Sequence, residues 1–522
     1  MIWNTFIYLI NEGASTPKGK LIMGKKTKAK PSREGWRLSK GERFRFYLGD
    51  LGVTVGVTVL AGCMTNFLAL RGLNLTALAG AILLLKIIDA VDDVIFGYLV
   101  DSIKITESKV FRKITKDGKY LPWFRMTFAL FPLFTIVFYL MPNNISNTAK
   151  MVWFFVTYLL YDLSCTLCQV PMGSLVITLT DNTDERNHII TVKGVLAVIA
   201  AVVVNSVSSY LWDPVAGPGL SFSSVTIVVV TICLLMMIPL VLKGKEYNTE
   251  LKNAESDANK SYTLKDMWNC VTTNKYMAIF LFSNLCASIA GTANAVVNLV
   301  AFYLFEGKTS INSLPYLLSF IPALLINTQA DKITKRFGRR NSMIVLAVVF
   351  GGMFILQYIV GYKNLVLIVI FGTLGAIAAS LRYVFMNFIA PDTIEFTRYK
   401  TGKDCAGIFY SLSSFIDKAT GAVAASLGLL IMGLYGWTEV QAGSYEELLQ
   451  MGIGPGQPGY QTPQALHGMW VVYALIPGIG YLVSALVLFF YKLKDRDAEL
   501  MARCNAGEIT REECEGQLSQ QY

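Results

Sequence analysis

Long apolar runs constrain this chain more than any other feature. Twelve stretches, most of them of about 20 residues or more, are mainly apolar and are separated by polar loops. A helix of about 20 apolar residues spans the hydrocarbon core of a bilayer. With 53% hydrophobic and 16% charged residues, the chain also departs from soluble domains, which average about 25% charged. We therefore expect an all-α membrane protein, and the pattern disfavours a secreted enzyme, a nucleic-acid binder and a disordered scaffold. The predicted spans are residues 46–70, 75–100, 123–141, 151–178, 189–212, 222–243, 276–305, 313–331, 342–361, 364–389, 405–435 and 468–491.

One polar stretch, residues 244–275, divides the spans into six plus six. Each half has a basic loop after its second span, GYLVDSIK at 97–104 and ADKITKRFGRR at 330–340, which we interpret as charge locks between helix ends. Two related halves are typical of two-bundle secondary transporters, whose substrate site lies near the midplane. The predicted organisation is a basic N-terminal segment at 1–45, a six-helix bundle at 46–243, a central loop at 244–275, a second six-helix bundle at 276–491 and a tail at 492–522.

Basic residues set the predicted orientation. Eleven Lys and Arg residues lie in 18–45 and six in 104–119, whereas 142–149, 213–221 and 436–467 contain none. Cytoplasmic loops of membrane proteins carry the excess of Lys and Arg. Both termini and the central loop are therefore predicted to be cytoplasmic, and 436–467 external. The same rule accounts for the net charge of +10 without a nucleic-acid partner.

Four charged residues interrupt the second apolar run, LLLKIIDAVDDVIFGYLVD. Lys86, Asp89 and Asp93 are spaced at i, i+3 and i+7 and share one helix face, with Asp92 on its edge. Ionisable residues inside a membrane span are costly and are functional candidates by default. Three carboxylates this close do not all stay ionised in a low dielectric, so one is protonated, pairs with Lys86 or shares a cation. A structural salt bridge from Lys86 to Asp89 or Asp93 is the alternative.

The run from Lys86 to Asp101, KIIDAVDDVIFGYLVD, resembles the second-helix motif of the glycoside–pentoside–hexuronide:cation symporters of the major facilitator superfamily. The chain departs from that family's pattern at Val94, Asp404 and Ala406. The resemblance implies a bacterial cytoplasmic (inner) membrane protein with twelve transmembrane helices in two six-helix bundles, the major facilitator fold. Further matching segments are LGDLG (49–53), GKYLPWFR (118–125), QVPMGSLVITLTDNTDER (169–186) and APDTIEFTRYKTGKDCAGIFYSLSSFIDK (390–418).

The resemblance also implies a coupling-ion site for Na⁺ or H⁺. Asp89 and Asp93 would bind the ion, as metal ligands if it is sodium, and Thr166 would add a hydroxyl. Asp92, where the family usually has Asn, would add a further carboxylate. Asp89 and Thr166 each lie about 15 residues from the outer end of their spans, or about 22 Å deep at 1.5 Å per residue. Asp and Thr oxygens are the hard ligands that such an ion favours.

The implied substrate site draws on both halves. Asp50 matches the family's first-helix position, and Gln169 stands where the fourth helix usually has a carboxylate. Lys193 and Lys418 take the basic positions of the fifth and eleventh helices, and Tyr383 takes the place of an aromatic residue beside the sugar.

Two more charged residues inside apolar runs join the predicted substrate set. Asp162 lies four residues before Thr166 on the same helix face, and it either binds sugar hydroxyls or pairs with Lys418. Arg382, with the two lysines, would suit an acidic sugar such as a hexuronide, because guanidinium binds carboxylate bidentately. The alternatives are that Arg382 serves a cytoplasmic lock and that Lys418 pairs with Asp50 or the aspartate cluster.

The expected function is cation-coupled symport, with Na⁺ or H⁺, of a sugar, glycoside or hexuronide by alternating access. The alternative is a major facilitator lipid or drug transporter, of lysophospholipid or antiporter type. The sequence favours no enzyme, since it has only His188 and His467 as histidines and no nucleophile–base pair. The expected partners are a small-molecule sugar or glycoside, the coupling cation and membrane lipid, without nucleic acid. We expect a monomer with no cofactor besides the coupling ion.

The predicted orientation is testable by cysteine labelling in intact cells. In a variant without reactive native thiols, a cysteine at Gly454 should react with a membrane-impermeant maleimide added outside, and one at Ser256 should not. The opposite pattern would invert the topology.

Overall fold

The computed structural model describes residues 36–102, 118–180, 182–247, 274–402 and 406–521. The N-terminal half contains α1 (Lys40–Ala69), α2 (Leu75–Ser102), α3 (Leu121–Thr127), α4 (Leu130–Tyr139), α5 (Asn147–Leu179), α6 (Thr183–Trp212) and α7 (Phe222–Lys243). The C-terminal half contains α8 (Lys275–Ser288), α9 (Thr292–Leu304), α10 (Leu314–Asn327), α11 (Ala330–Phe337), α12 (Arg339–Val360), α13 (Leu365–Thr401), α14 (Ala406–Leu434), α15 (Tyr445–Met451), α16 (Pro463–Trp470) and α17 (Ile476–Leu488). The tail forms α18 (Asp495–Asn505) and α19 (Arg511–Gln517).

Ten helical stretches of the described chain are long and apolar enough to cross a membrane. The all-α membrane architecture predicted from the sequence is therefore present. Of the two remaining predicted spans, α2 has the length but carries Lys86 and four aspartates, and α14 has a shorter apolar stretch at 419–434. The number of twelve spans stays a prediction.

Polar caps and small residues explain where the helices begin and how closely they pack. The Ser39 side chain accepts a hydrogen bond from the backbone nitrogen of Glu42, and the Glu42 carboxylate accepts one from the backbone nitrogen of Ser39, which forms a capping box at the beginning of α1. Asn274 caps α8 in a related way, through the backbone nitrogens of Tyr276 and Met277. Gly52 lets α1 approach α7, because a Cβ there would lie 2.8 Å from the Cys233 carbonyl oxygen.

The two halves meet along their helices. Within the N-terminal half α1 packs against α6 and α7, and within the C-terminal half α12 packs against α17 and α10 against α13. Between the halves, α2 packs against α14 and α1 against α9. The helices α1, α2 and α14, which carry Asp50, the aspartates of the second span and Lys418, therefore lie at the interface between the halves.

On the predicted external side, polar contacts join the halves. The carboxylate of Asp213, which is fully buried, accepts hydrogen bonds from the backbone nitrogens of Val215 (2.8 Å), Ala216 (2.7 Å) and Ser310 (2.8 Å). The hydroxyl of Thr309 donates to the Ser209 carbonyl at 3.0 Å. These hydrogen bonds hold the C-terminal end of α6 to the turn that precedes α10.

The segment 436–467 adds a second external contact by crossing onto the N-terminal half. The backbone nitrogen of Gly72 donates to the Val440 carbonyl at 2.9 Å, and that of Ala442 donates to the Leu70 carbonyl at 2.8 Å. The Lys150 ammonium donates to the Gln441 side chain at 3.2 Å. These bonds, with those of Asp213, hold the halves together at this end.

The second basic loop ties the C-terminal half to the tail. Arg339 lies 2.5 Å from Asp392 on α13 and 3.1 Å from Glu499 on α18. Its described ion pairs therefore lie within one half and its tail rather than between the halves. In the predicted lock at 97–104, the charged side chains of Asp101 and Lys104 lie outside the described part of the chain.

Removal of Asp213 should loosen the external contact. In a variant with Cys165, which faces the interior between the halves, as its only cysteine, Asp213→Ala should speed the reaction of Cys165 with an external maleimide several-fold. Glu439→Ala, at an exposed position of the same side, should react like the parent. Equal rates in both variants would contradict a role for Asp213 in closure.

The same contact should depend on pH. Burial would raise the pKa of Asp213, but hydrogen bonds from Ala216 and Ser310 outweigh it, and the pKa is lowered. A carboxyl with a lowered pKa stabilises the fold above its unfolded pKa, and this contribution is lost as the pH falls through the folded value. The rate of the Cys165 reaction in the parent relative to that in Asp213→Ala, a ratio that cancels the pH dependence of the thiol itself, should therefore be low and constant near neutral pH and should approach one only in acid below about pH 4.

Candidate functional site

A cavity of about 660 Å³, the central cavity, lies between the two halves. The N-terminal half lines it from α1, α2 and α5, and the C-terminal half from the beginning of α9 and the middle of α14. Its polar lining residues include Lys86, Asp89, Asp162, Thr166, Gln169 and Asn294. The position between two bundles is the one expected for a transporter substrate site.

Three buried aspartates form a carboxylate cluster beside this cavity. Carboxylate oxygens of Asp89 and Asp92 on α2 and of Asp162 on α5 all lie within 4.8 Å of one another. The Lys86 ammonium lies 2.8 Å from Asp89 Oδ2 and 3.8 Å from Asp162 Oδ1. It also lies 5.5 Å from the ring centre of Tyr158. One lysine thus faces three carboxylates and links two helices.

The close approach of three carboxylates gives the cluster an affinity for positive charge. Their oxygens lie within 4.8 Å of one another in a region of low dielectric, where ionised carboxylates repel one another. Such an arrangement binds a proton or a metal cation, because either relieves the repulsion. Thr166, one helical turn after Asp162, lines the same cavity and offers a neutral oxygen.

The structure brings together part of the set predicted for the ion. Asp89 and Asp92 lie in the cluster, and Thr166 lines the same cavity, whereas the side chains of Asp93 and Lys418 lie outside the described part of the chain. Asp162, predicted for the substrate, joins the cluster. The salt bridge from Lys86 to Asp89, the sequence alternative, is present, so Lys86 and an ion would share the same carboxylates.

The predicted substrate residues fall into two groups. Asp50 and Lys193 form an ion pair at 2.7 Å, so the described partner of Asp50 is Lys193. They line a side cavity of about 230 Å³, and Gln169 lines both this and the central cavity. An ion pair with exposed donor and acceptor atoms suits sugar hydroxyls, which both donate and accept.

Arg382 and Tyr383 lie apart from that group, in a cavity within the C-terminal half. Arg382 donates to the Asn284 side chain at 2.6 Å and lies over the ring of Tyr481, with 5.9 Å between guanidinium carbon and ring centre. Tyr383 is 70% exposed. Asn284 and Tyr481 belong to the same half as Arg382, so these contacts do not form a lock between the halves.

Sequence reasoning did not place Asp162 with the ion residues, although one signal was available. Asp162 and Thr166 are four residues apart and therefore share a face of α5. The choice between sugar and ion depended on which helix faces α5, and this is a tertiary contact between α2 and α5.

Replacement of Lys86 should reveal the repulsion between the carboxylates of the cluster. In Lys86→Gln the melting temperature at about pH 8 should fall by about 5 °C or more, because losing one partner of a buried pair costs about 3–5 kcal/mol. Lys308→Gln removes an exposed pair with Glu306 and should change little. A Lys86→Gln protein that melts like Lys308→Gln would contradict a stabilising role of Lys86 in the cluster.

Comparisons with known proteins show that the chain is similar to sugar and glycoside carriers along most of its length. The chain is 24% identical to the isoprimeverose transporter of Lactiplantibacillus pentosus over 470 residues, covering 88% of this chain and 90% of that protein. It is 22% identical to the glucuronide carrier protein homolog of Escherichia coli (strain K12), covering 88% and 93%. The crystal structure of the nucleoside transporter NupG superposes with a TM-score of 0.54 at 13% identity, covering 87% and 100%, which shows a shared fold.

A family model described as MFS/sugar transport protein matches residues 46–495, which is most of the chain. The match includes both halves, the carboxylate cluster and the central cavity. It confirms the resemblance to the glycoside–pentoside–hexuronide:cation symporters that the motifs indicated. The chain therefore belongs to the MFS/sugar transport family of multi-pass membrane transporters.

Proposed function

We propose that this transporter couples the uptake of a sugar or glycoside to the inward movement of Na⁺ or H⁺. The observation that carries the proposal is the carboxylate cluster of Asp89, Asp92 and Asp162 around Lys86, beside the central cavity. Three carboxylates buried within 4.8 Å of one another are costly unless a cation or proton is shared between them. A sugar carrier that is not coupled to an ion would gain nothing from burying these carboxylates.

Ion binding and sugar binding would be coupled through α5. This helix carries Asp162 toward the cluster and Gln169 toward both the central and the side cavity. An ion shared between α2 and α5 fixes their distance and with it the position of Gln169. The coupling is reciprocal, since sugar binding must then strengthen ion binding by the same factor.

Lys86 would keep the cluster intact when no coupling ion is bound. Its ammonium holds Asp89 and approaches Asp162, the same carboxylates that an ion would use. Ion binding then competes with an internal cation, which limits affinity and favours release on the inner side. Asp93 and Lys418, implied by the family motif, belong to the proposed machinery as well.

The proposed sugar position is the central cavity with its side cavity. Asp50, Lys193 and Gln169 present charged and amide groups there, and Tyr158 and Tyr161 add ring faces. The names of the isoprimeverose and glucuronide carriers support glycosides as the substrate class. Alternating access would open the external contacts of Asp213 and 436–467 and close the opposite end.

The test is accumulation of glycosides in right-side-out vesicles under imposed Na⁺ and H⁺ gradients. Asp89→Asn and Asp93→Asn should lower ion-driven accumulation about tenfold or more, because the carboxamide keeps shape but loses the charge that binds the ion. Asp92→Asn restores the usual family residue and should be tolerated. Glu306→Gln, at an exposed position, serves as the matched control.

Downhill exchange of the same glycoside should survive in the asparagine variants, which separates coupling from folding. Full ion-driven accumulation in Asp93→Asn and Asp89→Asn would sink the proposal and leave the cluster as a structural salt bridge. Expulsion of substrate as the ion enters would identify an antiporter instead.

A further inference from the structure

A second cavity, of about 460 Å³, lies inside the C-terminal half and is called the C-half chamber here. Helices α8, α10, α12, α13 and α17 line it. Gly291 and Asn294 line both this chamber and the central cavity. They lie in and just after the 3-10 turn Ile289–Gly291, which interrupts the path from α8 to α9. The two cavities therefore meet at that turn.

The walls of the chamber combine ring faces with one positive charge. Among the described residues that line it, Arg382 is the one that is charged at neutral pH, and its side chain is buried. Asn284 and the ring of Tyr481 hold the guanidinium in place. A fixed guanidinium binds a carboxylate or sulfonate through paired hydrogen bonds. The aromatic lining residues include Tyr316, Phe350, Phe354, Phe371, Tyr473 and Tyr481, besides Tyr383.

A buried amide group also points to a ligand. Gln357 lines the chamber with 3% exposure, and its side-chain amide lies beside the hydroxyl of Tyr473. An amide nitrogen carries two N–H groups, so a donor remains besides any bond to Tyr473. An oxygen of a ligand in the chamber would supply an acceptor for it.

Small residues on α13 create the space. Gly372, Gly375, Ala376 and Ala379 line the chamber along one helix face. A Cβ added at Gly375 would meet nothing within 4 Å, so this position faces open volume. Larger side chains along this face would fill the chamber.

We propose that the C-half chamber is a second substrate subsite that receives the far part of an extended glycoside. That part is an aromatic or apolar ring bearing a carboxylate or sulfonate, which pairs with Arg382 while the ring stacks on the aromatic walls. The inference rests on the proposed sugar symport, because the sugar part occupies the central cavity. The preferred substrate is then a two-part acidic glycoside rather than a free monosaccharide.

The test measures dissociation constants by calorimetry on the full-length protein in nanodiscs. The probes are the methyl, phenyl and 4-carboxyphenyl β-D-glucosides and β-D-xylosides, and 4-methoxybenzoate, which has the aryl carboxylate without a sugar. A 4-carboxyphenyl glycoside should bind about tenfold or more tightly than the phenyl glycoside of the same sugar. Arg382→Gln should reduce that ratio to below about twofold, and Arg382→Lys, which keeps the charge, should retain part of it.

Filling the chamber tests its position independently of charge. Gly375→Leu should weaken 4-carboxyphenyl glycosides and 4-methoxybenzoate about tenfold. Gly352→Leu is the matched control, because Gly352 also faces open space but lines neither cavity. An unchanged ratio in Arg382→Gln, or equal affinities in the two leucine variants, would overturn the subsite.

The two proposals fail in different measurements. If ion-driven uptake is absent but 4-methoxybenzoate still binds through Arg382, the proposed symport is contradicted and the chamber remains an anion site. If methyl glycosides are taken up with the ion but the acidic aryl probes bind no more tightly, the chamber is contradicted as a subsite and the proposed symport remains.

Discussion

The contact on which the central cavity depends is the one between Lys86 and the carboxylates of Asp89 and Asp162. It links α2 to α5 across the N-terminal half, with distances of 2.8 and 3.8 Å. Asp92 adds a third carboxylate within 4.8 Å of the other two. Burying carboxylates this close together costs free energy, and the same closeness gives an ion or proton a place to bind. The same residues therefore affect both the stability of the protein and its proposed function.

The two ends of the molecule differ in how they are held. On the predicted external side, Asp213 and the segment 436–467 join the halves by hydrogen bonds to the backbone. The charged contacts described for the second basic loop instead join α12 to α13 and to the tail, within one half. A transporter that alternates must break the first kind of contact in each cycle, whereas the second kind can persist and move with its half.

Much of the fold was predictable because a bilayer allows few solutions. Runs of apolar residues must become helices, since the backbone has no other hydrogen-bond partner in lipid, and ten such helices are present in the described chain. The motif around Asp89 and the long match at 390–418 indicated the family, which the match over 46–495 confirms. Asp89 and Asp92 were also predictable as neighbours on one helix, because charge inside an apolar run is rare and helix spacing fixes which residues share a face. Thr166 lies on another helix, and the family resemblance and its similar depth related it to them.

The sequence by itself thus determined the helices, the charged face of α2 and the family. Tertiary structure decided that Asp162 faces the cluster, that Asp50 pairs with Lys193, and that Arg382 lies in a separate chamber with Asn284 and Tyr481. The physical reason is that periodicity fixes positions around one helix axis, whereas a side chain's partner depends on the rotation and depth of the neighbouring helix. Those are set by packing between residues far apart in the chain, such as α5 against α2, and no local pattern encodes them.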